Sequence, residues 1–564
     1  VTRLGKEYDV IVVGAGINGV AAAAYLQKAG LNVAVFERRH EAGTHCCTEE
    51  TMHPGVRVSV CANQMMTLSS PAYEELELER FGLELLTSSE WCDFHAVNRT
   101  KKAVFRHQYD ARKQYEAWKS ISEKDAEMYR KQVNYLAPYF QELLELLVYS
   151  PITIDRFIRV AGIISKIPGM PPGWLGLSGH QLVQEWYKDE SIRAGCYASA
   201  YTAGVLGLEQ KGLPVPLYST LLNPSWIAGF TARGGPHNLA HALTRCFCHY
   251  GGSYFPNCPV EKIIIENREA KGVVLSKSAV YPEAEIRATK AVVSNLSCHP
   301  TFIDLVGLDK LPSWAVKGVK AYDYDSTILF DSHFALKEPL DWKGFPPECN
   351  TTMTFFCGLE GEDDMMRARA DLFDAQPHRA PDPPIICGFS MTPTLADPTQ
   401  APPGQHTLMT WSCVPYDLDK PGGALAWDDI REEYGQKVED LLNEYAPNLK
   451  KAKIARYDHT PLDYYRRNPS CRMGSSVSGS VLQKLRLSCN VPFPDCNAPR
   501  SPIGKLYLSN CGLSTTQLQD GYIAADAVAR DLGVREQDWW VVKPMEPGVR
   551  WLKRRGITPR WSVD

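Results

Sequence analysis

Six residues near the start of the chain, Gly14-Ala15-Gly16-Ile17-Asn18-Gly19, have the types and spacing to hold a dinucleotide. In a G-x-G-x-x-G the first glycine permits a tight turn and the second lets the backbone approach a pyrophosphate. The third lets a helix pack closely on a strand. Glu37 follows at a distance where its carboxylate can accept from both hydroxyls of a ribose, a choice that disfavours a 2′-phosphate. This chemistry needs elements to position it. Tyr8 to Val13 reads YDVIVV, a β-branched run suited to a buried parallel strand. A helical pattern covers Val20 to Ala29, with Gly30 placed to end it. Its N-terminus would offer free N–H groups and a partial positive charge to phosphates. A second strand, Asn32 to Phe36, delivers Glu37. The motif alone is weak. With a strand before it, a helix after it and the acid in place, it predicts dinucleotide binding rather than a glycine-rich turn in an unrelated α/β fold.

Composition narrows the class. A chain of 564 residues is too long for one compact core, so two or three domains are expected. A net charge of -4 gives no case for nucleic-acid binding. The 17 cysteines are scattered without a regular framework, and no apolar leader precedes the first strand. A reduced, cytoplasmic protein is therefore expected. No run of about 18 apolar residues suggests a membrane-spanning helix, while peripheral membrane contact stays open. No metal site is expected.

The segment after the second strand reads Glu37-Arg38-Arg39-His40-Glu41-Ala42-Gly43-Thr44-His45-Cys46-Cys47-Thr48-Glu49-Glu50. An E-R-R, then a glycine, then T-E-E resembles the flavin signature of the phytoene desaturase and amine oxidase superfamily. Further pieces follow in the family's order: Arg57 to Cys61, Ala232-Arg233-Gly234-Gly235, the hairpin pattern Val260 to Leu275, and Ala291 to Asn295. Asn468-Pro469-Ser470, Pro502 to Leu508 and Gly521-Tyr522-Ile523-Ala524-Ala525 complete the series. The chain most resembles the phytoene desaturase and retinol saturase branch. The resemblance implies an α/β fold with a Rossmann-type, glutathione reductase-like FAD-binding domain built from residues 1–75, 226–300 and 456–535. A discontinuous α+β substrate domain would take residues 76–225 and 301–455, leaving an aromatic, basic tail at 536–564. It also implies FAD, held by Gly14, Gly16, Gly19, Glu37, Arg38, Gly43, Thr44, Val260, Asn295, Gly512, Gly521, Tyr522 and Ile523. No second G-x-G-x-x-G is found, so a stably bound NAD(P)H is not expected. Electrons would pass to oxygen, a quinone or a protein, or return to the substrate.

The departures from the family are informative. Its members usually carry glycine at positions 43 and 44 and small residues after them; here Thr44, His45, Cys46 and Cys47 stand there. A His or Cys beside the flavin could form a covalent link, or could simply fill space. Near the C-terminus the family's glycines are largely replaced by polar residues from Leu513 to Asp520, and Ile523 replaces its asparagine. Gln517, Gln519 and Asp520 would lie near the flavin or cap the following helix. Asp520 is the first candidate for a catalytic base and His45 the second. Cys471-Arg472-Met473-Gly474 echoes the glucose-methanol-choline oxidoreductases, an echo read as chance.

The expected reaction is removal of hydride from a lipophilic, isoprenoid or terpenoid-like skeleton. The alternatives are a flavin-dependent isomerase or saturase, an amine oxidase, and a flavin-binding subunit of a hetero-oligomer. A homo-oligomer is equally open. Ile152 to Ile167 has the pattern of an amphipathic helix, with Ile154, Phe157, Ile158, Ala161 and Ile164 on one side and Arg156, Arg159 and Lys166 on the other. The tail, with Trp539, Trp540 and Trp551 among basic residues, is expected to bury its aromatics on the protein itself or on a partner.

Overall fold

The computed structural model describes residues 3–62, 64–88, 90–149, 153–202, 211, 221, 230–324, 328–374, 378–479, 493, 499–510 and 517–564. The YDVIVV run becomes the strand Glu7–Val13. It pairs in parallel with Val33–Phe36 on one side, Val13 opposite Phe36, and with Glu285–Ser294 on the other, Val13 opposite Ser294. Leu506–Leu508 adds in parallel beyond Glu285–Ser294, and Ser253–Phe255 adds beside Val33–Phe36. The hairpin of Val260–Glu266 and Glu269–Leu275 joins antiparallel through Glu285 to Arg287.

Parallel strands rich in Val and Ile need cover on both faces. On one face Ile17–Lys28, His237–His249 and Gln519–Asp531 pack through Ala21 to Ala24, Leu239, Leu243, Ala524 and Val528. On the other, Phe302, Leu305, Val306 and Val319 pack against Ile263, Val273 and Leu275. The first helix begins at Ile17, three residues earlier than its apolar pattern suggests, so its open end starts inside the glycine motif.

A second sheet has the order Lys453–His459, Leu329–Leu336, His406–Cys413, Ile386–Met391, Thr352–Cys357, Glu90–Val97, Lys102–His107. Because Lys453–His459 is an edge strand here, the chain returns to the first layer after residue 459, not at 456. Ala426–Tyr445 covers this sheet through Trp427, Tyr434, Val438 and Leu442. The charged stretch 110–150 folds as Ala111–Lys119, Glu123–Leu136 and Phe140–Leu147, whose apolar sides share a core with Val104, Leu329 and Phe356.

Two local expectations change. Arg57 to Cys61 forms no extended strand: Val58 pairs with Glu49 in an isolated bridge, and Arg57 N–H donates to Gln400 O. The helix Ile154–Ile164 buries Val160, Ile163 and Ile164 and leaves Ile154 and Ile158 79% and 62% exposed. Its buried face is therefore turned about 100° from the expected stripe, the angle of one residue step.

The tail lies on the protein's own surface. Trp540 stacks on Tyr25 with ring centroids 4.7 Å apart, and Trp551 meets Phe230 edge-on at 5.1 Å. Met545 N–H donates to Ser69 O, Val542 N–H to Glu75 Oε1, and Arg560 N–H to Tyr109 O. Among the described residues, no helix is long and apolar enough to cross a membrane.

Candidate active site

A cleft of about 430 Å³ opens where the first strand passes into the first helix. Gly14 makes the turn at φ +91°, and its N–H donates to Phe36 O at 2.8 Å. Gly16 lines the cleft, and a Cβ there would come within 2.6 Å of Asn295 Nδ2. Gly19 faces the strand instead: its Cβ would meet Gly14 O at 2.4 Å, so its absence sets the helix–strand distance. No side chain caps this helix and no acid lies in its first turn, so its dipole end is left for an anion.

Glu37 is 4% exposed. Its Oε2 accepts from Ala15 N–H at 2.6 Å and its Oε1 from Arg39 N–H at 2.8 Å. Burial raises its carboxyl above the ordinary range, opposed by the Arg39 and Ala15 N–H donors. Each oxygen keeps a further lone pair for a ribose hydroxyl. Arg38, Arg39, Pro259 and Val260 line the same cleft. The donor set, the bare glycines and the buried acid fit the adenosine and pyrophosphate of FAD.

The loop after Glu37 crosses the motif. Gly43 N–H donates to Ala15 O at 2.9 Å, and with φ +108° a Cβ on Gly43 would strike Cys46 O at 2.7 Å. Thr44 follows at φ +45°, a left-handed conformation that a β-branched residue adopts at a cost of about 1–3 kcal/mol. Its carbonyl is held by Arg467, whose Nε and Nη2 donate to Thr44 O at 3.3 Å each and whose guanidinium also pairs with Glu49.

His45 lines the cleft, with Nε2 3.1 Å from Cys471 Sγ and its ring edge-on to Tyr464. Burial, reinforced by Arg467 and His459, lowers its imidazole to about 3. Cys46 also lines the cleft, and burial pushes its thiol up to about 12. Cys47 does not line it; its Sγ accepts from Val60 N–H at 3.4 Å. Cys61, Ala62, Ser476, Val477 and Gln517 complete this part of the lining. Gln517 Oε1 accepts from Met66 N–H and Thr67 Oγ1, and its Nε2 donates to Gln64 O. Behind Cys61, Tyr464 donates to Asp331, whose carboxyl burial raises well above the ordinary range.

The candidate residues divide. Gly14, Gly16, Glu37, Arg38, Gly43, Thr44, His45, Val260 and Asn295 all line the cleft. Gly512 lies outside the described residues. Asp520, Gly521, Tyr522 and Ile523 do not line it. Asp520 is buried in the first turn of Gln519–Asp531 and is not among the lining residues, whereas Gln517, three positions before it, is. Gly521 is the close contact between two helices: a Cβ there would sit 2.3 Å from Asn18 O. Tyr522 packs in an aromatic cluster with Tyr25, Tyr149 and Trp540. Arg467, Asn468, Ser470 and Ser476 line the cleft without having been assigned to it from sequence. The signal for Arg467 was its place directly before the Asn468-Pro469-Ser470 segment.

Comparisons with known proteins bear on the fold and on the kind of protein. The family profile of an NAD(P)-binding Rossmann-like domain matches residues 12–76. One of the subunits of limonene dehydrogenase from Castellaniella defragrans is 28% identical over 95% of this chain and 96% of its own. A lycopene-forming phytoene desaturase of Pseudescherichia vulneris is 22% identical over 93% of this chain and 99% of its own. A solved structure of a putrescine oxidase variant, redesigned in cofactor binding, superposes with a TM-score of 0.58 at 15% identity, covering 94% of this chain and 99% of that one. That likeness speaks for the fold, and the relatives' flavin-dependent type makes FAD the implied cofactor. The chain is an oxidoreductase, similar along most of its length to the phytoene desaturase and retinol saturase-like branch of the flavin-dependent amine oxidase superfamily.

Proposed function

We propose that this oxidoreductase is an FAD-dependent dehydrogenase that removes hydride from a lipophilic, isoprenoid-like carbon skeleton. The observation that carries the reading is the uncharged stretch of lining made by His45, Cys46, Cys61, Ala62 and Val477. The His45 imidazole, lowered to about 3, and the Cys46 thiol, raised to about 12, are both neutral near pH ~7. A cationic amine would be desolvated there without an ionised partner, whereas a hydrocarbon loses little on entering. Among the described lining residues Phe36 is the only Phe, Tyr or Trp, so the two facing rings expected of an amine oxidase find no support. The end-to-end likeness to a limonene dehydrogenase points the same way, since limonene is a hydrocarbon.

Bound FAD would supply the hydride acceptor. The chain's own residues hold and enclose. Gly14, Gly16 and the open helix end would hold the pyrophosphate, and Glu37 the ribose. Gln517, fixed by the 64–67 segment, and the neighbouring Cys61 and Ala62 would bound the reacting end and keep water from it. Attachment of the flavin is inferred to be noncovalent, because a thiol raised to about 12 has little thiolate to offer and Cys47 faces away.

The test is anaerobic addition of limonene, or of putrescine, to the flavin-loaded protein while following the flavin's visible absorbance. Bleaching by the terpene and not by the amine is expected. Bleaching by putrescine alone would sink the proposal in favour of amine oxidation. A second reading, a flavin-binding member of a hetero-oligomer, is favoured by the fact that the limonene dehydrogenase relative is itself named as one part of a multi-chain enzyme. Loaded protein inert to a panel of terpenes would speak for it.

A further inference from the structure

We propose that Glu41, His237 and His241 form a binding site for a divalent cation of the zinc class, outside the flavin cleft. His237 and His241 lie one turn apart on His237–His249, and their ring centroids are 4.1 Å apart. Two imidazoles at this spacing on one helix face are a recurrent metal-binding pair. Glu41 comes from the loop that follows Val33–Phe36 and meets them: one ligand atom from each of the three residues lies within 4.8 Å of the others.

Hydrogen bonding sets the ring the right way round. His237 Nε2 is 2.8 Å from Ala42 O. A carbonyl only accepts, so Nε2 carries the hydrogen, and in the neutral ring Nδ1 presents its lone pair. That lone pair faces Glu41 Oε2 at 3.6 Å. Two acceptors thus point at each other, with a second imidazole beside them, and a cation between them would satisfy all three. A ring whose other nitrogen donates to a backbone carbonyl is how protein metal sites hold their histidines. The loop is pressed onto the ring, since a Cβ on Gly43 would lie 3.2 Å from His237 Cδ2. His237 N–H also donates to Thr48 Oγ1 at 3.2 Å. On the carboxylate's far side His40 Nε2 lies 3.4 Å from Glu41 Oε1.

Two nitrogens and one oxygen, with a fourth position left to water, suit zinc, cobalt, nickel or copper. They do not suit calcium or magnesium, which take oxygen ligands. The ion would tie the loop from Glu37 to Thr44, one wall of the cleft, to the start of a neighbouring helix. The plain alternative is a protonated His237 paired with Glu41 and no metal.

The experiment uses tag-free, flavin-loaded protein stripped with a chelator, then given zinc chloride and desalted. Elemental analysis reads the zinc retained, and thermal melting reads its effect. The wild type is expected to keep one equivalent and to melt several degrees higher with zinc than without. His241→Ala and, separately, Glu41→Gln should lose both effects while melting like the stripped wild type and keeping their flavin. A wild type that retains no zinc overturns the proposal. Equal retention and an equal melting shift in both variants overturn it too, by placing the zinc on thiols elsewhere.

Discussion

At the scale of single residues the glycine turn that lines one end of the cleft is legible in the chain, because backbone geometry dictates it. Gly14 needs a positive φ and Gly16 a close approach, and no other residue type meets those needs as well. Glu37→Ala is expected to keep the fold and weaken FAD about tenfold to hundredfold, the worth of one charge-assisted hydrogen bond or so. Flavin content after exhaustive dialysis checks it, and full loading would remove the ribose role from Glu37. The part of the cleft near Cys61 was harder to read. Arg467 reaches Thr44 O across 423 residues of sequence and Glu49 across 418, and no local pattern announces such contacts. Asp520, expected either to cap the helix or to lie near the flavin, sits in the first turn of Gln519–Asp531 with Leu518 before it at the cap, and is buried, a placement that spacing alone does not give. Thr44 occupies a left-handed backbone conformation that favours glycine, a fact visible only once the loop's path is known.

At the scale of elements, strands and helices around the glycine motif followed from their periodicity, whereas which face each helix buries did not. Ile154–Ile164 has enough apolar residues for more than one stripe, and packing chose Val160, Ile163 and Ile164. The contact between Ile17–Lys28 and Gln519–Asp531 depends on Gly521. Gly521→Ala should force the pair apart and cost about 1–3 kcal/mol, and should loosen FAD by moving the helix end that faces the cleft. A denaturant melt unchanged from the wild type would contradict the close contact. The second sheet carries a pH dependence of its own. His333 on Leu329–Leu336 is fully buried, and burial lowers its imidazole to about 3, against about 6.5 in an unfolded chain. Between those values the unfolded chain binds the extra proton, so this ring contributes stability above pH ~6.5 that is lost on acidification. At pH ~5.5 the loss is about 1.4 kcal/mol. Urea melts at pH ~7.5 and ~5.5 should show the wild type losing that much more than His333→Gln. Equal losses would mean the ring is protonated in the folded protein.

At the scale of the whole molecule the tail acts as a strap. Residues 539–551 cover the helices of the first layer, and Arg560 reaches Tyr109 and Ala111 beside the second sheet. Its tryptophans were legible as groups needing burial, but their destination was not, because composition carries no address. Trp551→Ala should cost about 3–5 kcal/mol by emptying the space against Phe230, read as a lowered melting temperature. A change under about 1 kcal/mol would show the strap to be loosely held. The first sheet has a consequence in time. Glu285–Ser294 pairs on one side with Glu7–Val13 and on the other with Leu506–Leu508, so adjacent rows of one layer lie hundreds of residues apart in the chain. Closing such loops is slow, since the entropy of joining distant segments is lost before any contact rewards it. The glycine motif and Glu37 can meet early, being near neighbours in sequence, but the Gln519–Asp531 helix that braces them arrives only when that last strand docks. A flavin that needs this whole cleft would therefore enter a nearly finished protein, as a late lock on the fold and not as its nucleus.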